Sequence, residues 1–365
     1  MIADDEKCES RDERCGVDMG MTRRRFLGLA AGGAAAIGAG FGFRDAPGLQ
    51  APPGRWVEQP RLPWRTQEVY AAVRDGRIVV AGGMRSGASS SSSFETLAGT
   101  VALDPAEGAW TVGPELPAPR HHLVLATVGE TVFGFGGFVG ENLRTGFRFR
   151  GDVFALRDGG WSRVGEMPAP LGETVAMPVG GRVHLVTGSL HESDGPGGRA
   201  TGRHLVYEPD SGSWSTARPA PTARSSATGG VVDGQLYVAG GRRMGRGVEN
   251  LGALERYDPE SDEWEQLRPL PQPAGGLAGT GLDGRLYCFG GERFGPDGGG
   301  VFRETWVYRP RADEWQELSP MRTPRHGLAA AAIDGRVYAI GGNTAPGVGA
   351  RTSHAVEALE PSTAG

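Results

Sequence analysis

The sequence feature that most constrains the fold is a repeated pairing of one tryptophan with a small residue and a glycine. Six tryptophans recur at a spacing of about 50 residues, a period that is typical of repeat architectures in which neighbouring units share a core. At the same distance after each tryptophan comes a small residue that glycine follows directly. The six pairs are Trp56 with Gly82, Trp110 with Gly136, Trp161 with Thr187, Trp214 with Gly240, Trp264 with Gly290, and Trp315 with Gly341.

Each repeat also contains a turn signal between its tryptophan and its glycines, at a position that is constant in all six, as Asp75-Gly76 shows in the first. Four of the six turns are Asp-Gly, which favours a tight β-hairpin because a type I′ turn needs two residues with positive φ. Each unit therefore predicts four short strands: an innermost apolar strand, one that ends at the glycines, one with a bulky residue and one with the tryptophan. The bulky residues are Leu103, Phe154, Tyr207, Tyr257 and Tyr308.

The tryptophan, glycine and bulky positions together resemble the Kelch repeat family, from about residue 55 to residue 361. Six Kelch repeats imply one all-β domain, a six-bladed β-propeller with four antiparallel strands in each blade. The segment "HAVEALEP" from His354 has the form of a third strand, but no tryptophan follows it. We therefore expect "RWVEQP", which contains Trp56, to supply the outer strand of the last blade and close the ring.

The composition excludes several kinds of chemistry. The formal net charge is −5 and no basic stripe is interleaved with aromatics, so nucleic acid is not an expected partner. The only lysine is Lys7, which excludes a lysine Schiff base from the repeats. Cys288 is the only cysteine among the repeats, so they contain no internal disulfide.

The first 45 residues differ in character from the repeats. Residues 1–20 are acidic, and we expect a disordered extension or a mis-assigned start. Residues 21–45 combine "TRRRFLG" with a glycine-rich apolar run of about 15 residues, too short for a comfortable membrane span. They resemble a twin-arginine (Tat) signal, which implies export to the periplasm or beyond, with membrane contact only through an uncleaved signal. The residues that match the Tat pattern are Thr22, Arg23, Arg24, Phe26 and Leu27.

The long, variable loops all follow the glycines, which places them on one face of the predicted ring, where we expect a ligand. Ten residues after each tryptophan the chain reaches the rim of the central channel, and three of these six residues are arginines. They predict a cationic mouth that holds an anionic ligand such as an acidic sugar. The alternative is that the arginines hold the blades together. The candidate ligand-binding residues are Arg65, Arg120, His121, His122, Arg224, Arg325 and His326.

Two enzyme types that have Kelch-like propellers provide alternatives to a binding module. The repeats resemble the bacterial mutarotase of sialic acid, a reaction that needs a general acid/base. That resemblance implies roles for Glu292 and Arg303, and Glu173 is a second acid/base candidate; both glutamates are otherwise solvated loop carboxylates. Galactose oxidase needs a loop cysteine crosslinked to a tyrosine, whereas Cys288 lies within the repeat segment "LYCFGG".

No feature of the sequence requires catalysis. We therefore expect an exported, monomeric Kelch-repeat binding module with no cofactor and no metal site. Its expected ligand is a glycan, an acidic sugar or another exported protein. A mutarotase of an acidic sugar is the first alternative, and a copper oxidase is the second.

Overall fold

The computed structural model describes residues 53–87, 93–140, 146–191, 198–245, 247–348 and 351–360. The predicted acidic extension and export signal, residues 1–45, lie outside these ranges. The described chain is built almost entirely of β-strands, with one 3₁₀ turn at Pro310–Ala312. Within it, no helix is long and apolar enough to cross a membrane.

Six four-stranded antiparallel sheets, here called blades 1 to 6, follow one another along the described chain. The strands of the first three, from the innermost outward, are Tyr70–Arg74, Arg77–Ala81, Thr100–Asp104 and Ala109–Val112 in blade 1; Val124–Val128, Thr131–Phe135, Asp152–Arg157 and Gly160–Glu166 in blade 2; and Val175–Val179, Arg182–Val186, His204–Glu208 and Ser213–Thr216 in blade 3. Those of the next two are Thr228–Val232, Gln235–Ala239, Leu254–Asp258 and Glu263–Leu267 in blade 4, and Ala278–Leu282, Arg285–Phe289, Thr305–Arg309 and Glu314–Leu318 in blade 5.

Blade 6 combines both ends of the described chain. Its first three strands are Ala329–Ile333, Arg336–Ile340 and Val356–Glu360, and the N-terminal strand Arg55–Gln59 pairs with the third of them, with Trp56 opposite Leu359. The innermost strands contact one another in cyclic order, from blade 1 through blade 6 and back to blade 1. This arrangement confirms the predicted all-β, six-bladed propeller and its closure by the N-terminal strand.

The predicted turns have the backbone that their sequences require. In all four Asp-Gly hairpins both residues have positive φ, as in Asp75 at 50° and Gly76 at 70°. The glycines that end the second strands are needed for a different reason, because blades approach closely there. A Cβ on Gly82 would lie 2.3 Å from the carbonyl oxygen of Arg120 in the next blade.

Short strands continue the first five blades beyond their glycines into the loops on one face, which we call the loop face. Each begins at the residue directly after the second glycine of its repeat. The loop face therefore carries a second layer of short sheets above the blades. These strands are Met84–Ser86 with Phe94–Thr96, Phe138–Val139 with Arg148–Phe149, Ser189–Leu190 with Leu171–Gly172 and Arg199–Ala200, Arg242–Met244 with Val248–Asn250, and Glu292–Arg293 with Gly300–Val301.

The hydrophobic core lies between adjacent blades. One buried cluster joins blades 5 and 6 through Phe289, Val337 and Leu359. Trp56 completes it with only 4% of its surface exposed, whereas the other five repeat tryptophans are partly exposed. The N-terminal strand therefore contributes to the core as well as to the hydrogen-bonded edge of blade 6.

Candidate functional site

The chain enters each blade through a residue with left-handed backbone geometry, which lies two positions after the rim residue of each repeat. We call these six residues the entry ring. Their φ values lie between 51° and 64°, although four of the six are not glycine. Left-handed backbone costs about 1–2 kcal/mol for an L-residue with a Cβ, and such strain concentrates at functional sites. The entry ring consists of Glu68, His122, Glu173, Ser226, Gly276 and Gly327.

The left-handed geometry lets the entry ring form a belt of main-chain hydrogen bonds around the channel. The N–H of His122 donates to the carbonyl of Glu68 at 2.9 Å, and the N–H of Glu68 donates to the carbonyl of Gly327 at 2.7 Å. Ser226, Gly276 and Gly327 each donate in the same way to the entry-ring residue of the preceding blade, at 2.9–3.2 Å. The backbone thus fixes these residues side by side at the channel mouth.

The residues that begin the loop-face strands lie next to the entry ring. Each pairs with the residue that precedes an entry-ring residue, as Arg242 does with Ser225 and Phe138 with His121. The two layers of residues together surround the mouth of the channel. This second set consists of Met84, Phe138, Ser189, Arg242, Glu292 and Asn343.

A cavity of about 240 Å³ opens at this mouth on the loop face. Its polar residues come from both layers, and its apolar residues come mainly from the loops. Apolar walls with a few convergent polar groups are typical of a ligand site, and the volume is slightly below the usual range of about 300–1,000 Å³. The polar residues include Glu68, His122, Glu173, Arg242 and Glu292, and the apolar ones are Phe138, Phe147, Phe149, Met244, Phe294 and Val348.

Arg242 is held by other residues of the cavity. Its Nη1 donates to Glu292 Oε1 at 2.6 Å, and its Nε donates to Ser226 Oγ at 3.0 Å. Glu292 Oε2 also accepts from the N–H of Gly347 at 2.6 Å. Burial alone would lower the pKa of Arg242, but the carboxylates of Glu173 and Glu292 raise it, so the guanidinium is a fixed positive charge.

Glu68 and His122 form an ion pair on the opposite side of the cavity, with 2.9 Å between Glu68 Oε2 and His122 Nε2. Burial disfavours the charged form of both groups, but the attraction of the oppositely charged partner outweighs this cost in each case. The pKa of Glu68 therefore lies well below its ordinary value, and the pKa of His122 lies above its own. The two opposite shifts keep the proton on His122, which can act as an acid within the cavity while Glu68 stays ionised.

The structure places three of the predicted mouth arginines inside the blades, and none of the three lines the cavity. Each pairs with a carboxylate on the third strand of its own blade: Arg120 with Asp152, Arg224 with Glu255 and Arg325 with Glu357. The Arg224 and Glu255 side chains are fully buried. These contacts fit the alternative stated above, in which the arginines stabilise the blades.

The arginine–carboxylate pairs alternate around the ring. They occur in blades 2, 4 and 6. Glu255 and Glu357 occupy the same position of the third strand, opposite Val238 and Ala339, whereas Asp152 lies two residues before that position in blade 2. Blades 1, 3 and 5 have no charge at the rim position or at the position of Glu255. Blade 3, for example, has Leu171 and Leu205 there, in one buried cluster. The uncharged pairs are Thr66 with Val101, Leu171 with Leu205, and Ala274 with Trp306.

The other predicted residues are divided between the cavity and its surroundings. Arg65 is exposed and donates to the carbonyl of Thr352 at 3.0 Å, and Arg303 is exposed on blade 5, away from Glu292. His121 is buried beside His122, with 2.7 Å between their Nδ1 atoms. His326 is buried against Glu292, with 3.3 Å between Nδ1 and Oε1. The structure thus gathers Glu173, Glu292, His122 and His326 at the mouth.

Cys288 is buried in the second strand of blade 5, and burial raises the pKa of its thiol. It does not line the cavity, which disfavours the cysteine–tyrosine crosslink of a copper-radical enzyme. Among the described residues, no group of three or more His, Cys, Asp or Glu side chains is arranged to hold a metal ion.

Sequence reasoning missed Glu68, Arg242 and the phenylalanines. Glu68 and Arg242 share fixed repeat positions with His122 and Glu292, so the repeat register contains the signal that finds them. Phe147, Phe149 and Phe294 lie in loops of unequal length, where the repeat gives no register.

We expect Glu173→Gly to raise the free energy of unfolding by about 1 kcal/mol, because glycine adopts φ near 53° without steric cost. The nearest cationic atoms, of Arg242 and His122, lie 3.7 and 3.8 Å from Glu173 Oε1, too far for strong hydrogen bonds. Urea unfolding of this variant and of Glu173→Ala measures the strain, because alanine removes the carboxylate but keeps the Cβ. Equal stability of the two variants would contradict the prediction.

Comparison with known proteins places this chain beside Kelch proteins. The model of the KLHDC2/KLHL20/DRC7 Kelch-repeats domain matches residues 153–342, just over half of the chain. The Kelch-like protein terF of Aspergillus terreus is 29% identical over 147 residues, 38% of this chain and 31% of that protein. The Kelch repeat and BTB domain-containing protein 12 of Danio rerio is 24% identical over 127 residues, 33% of this chain and 20% of that protein.

The chain therefore spans less than a third of the length of these relatives. Among solved structures, YjhT aligns with a TM-score of 0.66 and 15% identity, over 82% of this chain and 96% of that one. At this identity the likeness establishes the fold alone.

Proposed function

The chain belongs to the Kelch-repeat domain family, and from this premise we propose that it is an exported interaction propeller that binds a partner protein at the cavity on its loop face. The observation that carries the proposal is the entry ring. Three side chains that do not favour left-handed backbone, those of Glu68, His122 and Glu173, line the cavity at positions where glycine would cost less. Exposed apolar side chains at the same mouth, Met244 at 54% and Phe294 at 39%, add a surface that a partner can cover.

The charges at the mouth argue against the anionic ligand expected from the sequence. Three carboxylates, of Glu68, Glu173 and Glu292, outnumber the two cationic groups of the cavity, the guanidinium of Arg242 and the imidazole of His122. An acidic sugar or acidic peptide would meet these carboxylates, while Arg242 already bonds to one of them. The geometry therefore favours a neutral or basic group of the partner.

A photocrosslinking experiment tests whether the mouth contacts a partner. We expect a photoreactive phenylalanine at position 294 to give a crosslinked protein in the exported fraction. The same residue at position 112 is the matched control, because Val112 is 72% exposed on the outer strand of blade 1. Crosslinking at position 112 alone, or at neither position, would contradict the proposed site.

Export is part of the proposal and rests on the Tat-like segment, which lies outside the described residues. We expect Arg23→Lys with Arg24→Lys to keep the protein inside the cell, because the Tat pattern needs both arginines. Arg25→Lys is the matched control, since Arg25 occupies the variable position of the pattern. Cell fractionation measures where each variant is found, and unchanged export of the double variant would refute Tat transport.

Mutarotation of a sugar is the second candidate function. The ion pair of Glu68 and His122 favours it, because an imidazolium that a carboxylate holds inside a cavity can act as the general acid, and its neutral form as the base. The carboxylates at the mouth suit a neutral sugar better than an acidic one. NMR exchange between the α and β anomers of glucose and galactose tests this candidate, with Glu68→Gln as the inactive variant; no acceleration would exclude it for these sugars.

A further inference from the structure

We propose that the cavity selects a positively charged group, the ammonium or guanidinium of a lysine or arginine side chain of the partner protein. This inference rests on the proposed function, because it names the chemistry that the cavity would recognise. Two observations carry it: the carboxylates beside the guanidinium of Arg242, which would repel an anion, and the carboxylate of Glu173, the most exposed of the three.

Arg242 lies between two carboxylates. Its Nη1 donates to Glu292, its Nε donates to Ser226, and its Nη2 lies 3.7 Å from Glu173 Oε1. The guanidinium carbon also lies 5.5 Å from the centre of the Phe294 ring. An anion that approached this cation would lie close to the carboxylates of Glu173 and Glu292, which would repel it.

Glu173 is the carboxylate best placed to receive a cation. Burial alone would raise its pKa, but Arg242 and His122 lower it, so Glu173 remains ionised. Its side chain is 19% exposed, against 10% for Glu68 and 2% for Glu292, and it lines the cavity. Ser189 donates to its Oε2 at 3.3 Å, and the side chains of Ser225 and Ser226 also hydrogen-bond to Glu173. A carboxylate has about four acceptor positions, so capacity remains for an ammonium or guanidinium.

The aromatic wall adds a contact that favours the same charge. Phe138, Phe147 and Phe149 line one side of the cavity, with 5.5 Å between the rings of Phe138 and Phe147. A cation over such rings gains about 0.5–2 kcal/mol, and the apolar stem of lysine or arginine can pack against them. An acidic side chain gains nothing comparable.

Calorimetric titration of the intact propeller with four capped tripeptides tests the proposal. The peptides are acetyl-Gly-X-Gly-amide with arginine, lysine, glutamine or glutamate at X. We expect arginine or lysine to bind at least tenfold more tightly than glutamine, and glutamate to bind most weakly. Tighter binding of the glutamate peptide, equal binding of all four, or no binding at all would overturn the proposal.

Glu173→Gln identifies the contact, because it removes the charge and keeps the shape. We expect it to weaken the basic peptides by about tenfold while the glutamine peptide is unaffected. Glu263→Gln, on the exposed outer strand of blade 4, is the matched control and should change nothing. Thermal unfolding of both variants establishes that they are folded. Equal effects of the two substitutions would refute a role for Glu173.

A free cation distinguishes the source of the charge. Propylguanidinium carries the same group without a peptide, and we expect it to bind more weakly than the arginine peptide. Binding as tight as that of the peptide would overturn the assignment to a protein side chain in favour of a free amine. Crosslinking at position 294 without any preference for basic peptides would refute this inference and leave the proposed function intact.

Discussion

Replacing Glu255 by leucine is expected to lower the free energy of unfolding by about 3–5 kcal/mol, the largest effect that we expect from a single charge. The substitution leaves the guanidinium of Arg224, which is fully buried, without the carboxylate that lies 2.9 Å from it. An uncompensated buried charge costs this much because water cannot solvate it. Burial already lowers the pKa of Arg224, which shows that its charge is held at a cost. Denaturant unfolding at neutral pH measures the loss.

The double variant Arg224→Leu with Glu255→Leu is the control. Another blade of the same protein already has leucine at both positions. Blade 3 has Leu171 and Leu205 at the same two positions, packed in one apolar cluster. We expect the double variant to regain most of the stability, because an ion pair replaced by apolar contacts often costs little. A double variant that is less stable than Glu255→Leu would contradict the interpretation of these pairs.

Trp56→Ala should lower the free energy of unfolding by a similar amount, about 3–5 kcal/mol. Its ring packs edge-on against Phe289 with 5.2 Å between ring centres, and its Nε1 donates to Thr305 Oγ1 and to the carbonyl of Ser319. All three partners belong to blade 5 or directly follow it, while Trp56 itself lies in the strand that completes blade 6. The substitution therefore removes a contact that closes the ring.

Trp315→Ala provides the matched control. Trp315 occupies the same repeat position in the outer strand of blade 5, but it is partly exposed, and its Nε1 donates to the carbonyl of Arg268. We expect a clearly smaller loss of stability from this change. Equal losses in urea unfolding would mean that closure by the N-terminal strand contributes no more than an ordinary blade contact.

Much of the fold could be predicted from the sequence because its signals are local. An Asp-Gly pair such as Asp75-Gly76 fixes a hairpin through two backbone angles, and the spacing from tryptophan to glycine fixes the strands around it. Ring closure was also predictable. The C-terminal repeat has a third strand but no tryptophan strand after it, and Trp56 at the N-terminus has no third strand before it. The repeat requires both halves to meet in one blade.

The candidate site was harder to predict because it depends on side-chain direction. Arg224 and Glu173 lie only two positions apart in repeat register, yet Arg224 points into its blade and Glu173 points into the channel mouth. The left-handed backbone at the entry ring produces this difference, and a non-glycine residue such as Glu173 gives no sign of that geometry. The partner of Arg224 was visible in principle, since Glu255 and its counterpart Glu357 occur in blades that have the arginine, and the same position is uncharged in the three blades that lack it.

The belt of main-chain hydrogen bonds at the channel mouth allows the ligand-contacting side chains to change in evolution while the fold stays the same. Five main-chain hydrogen bonds connect these six positions, and none of them depends on which side chain a position carries. At Gly276 a Cβ would meet His326 Nδ1 at 3.5 Å and Glu292 Oε1 at 3.7 Å, both ordinary contacts, so a side chain there costs mainly the strain of its left-handed backbone. A single codon change at such a position can alter what the mouth presents to a ligand, and new specificity can arise in this ring without a new scaffold.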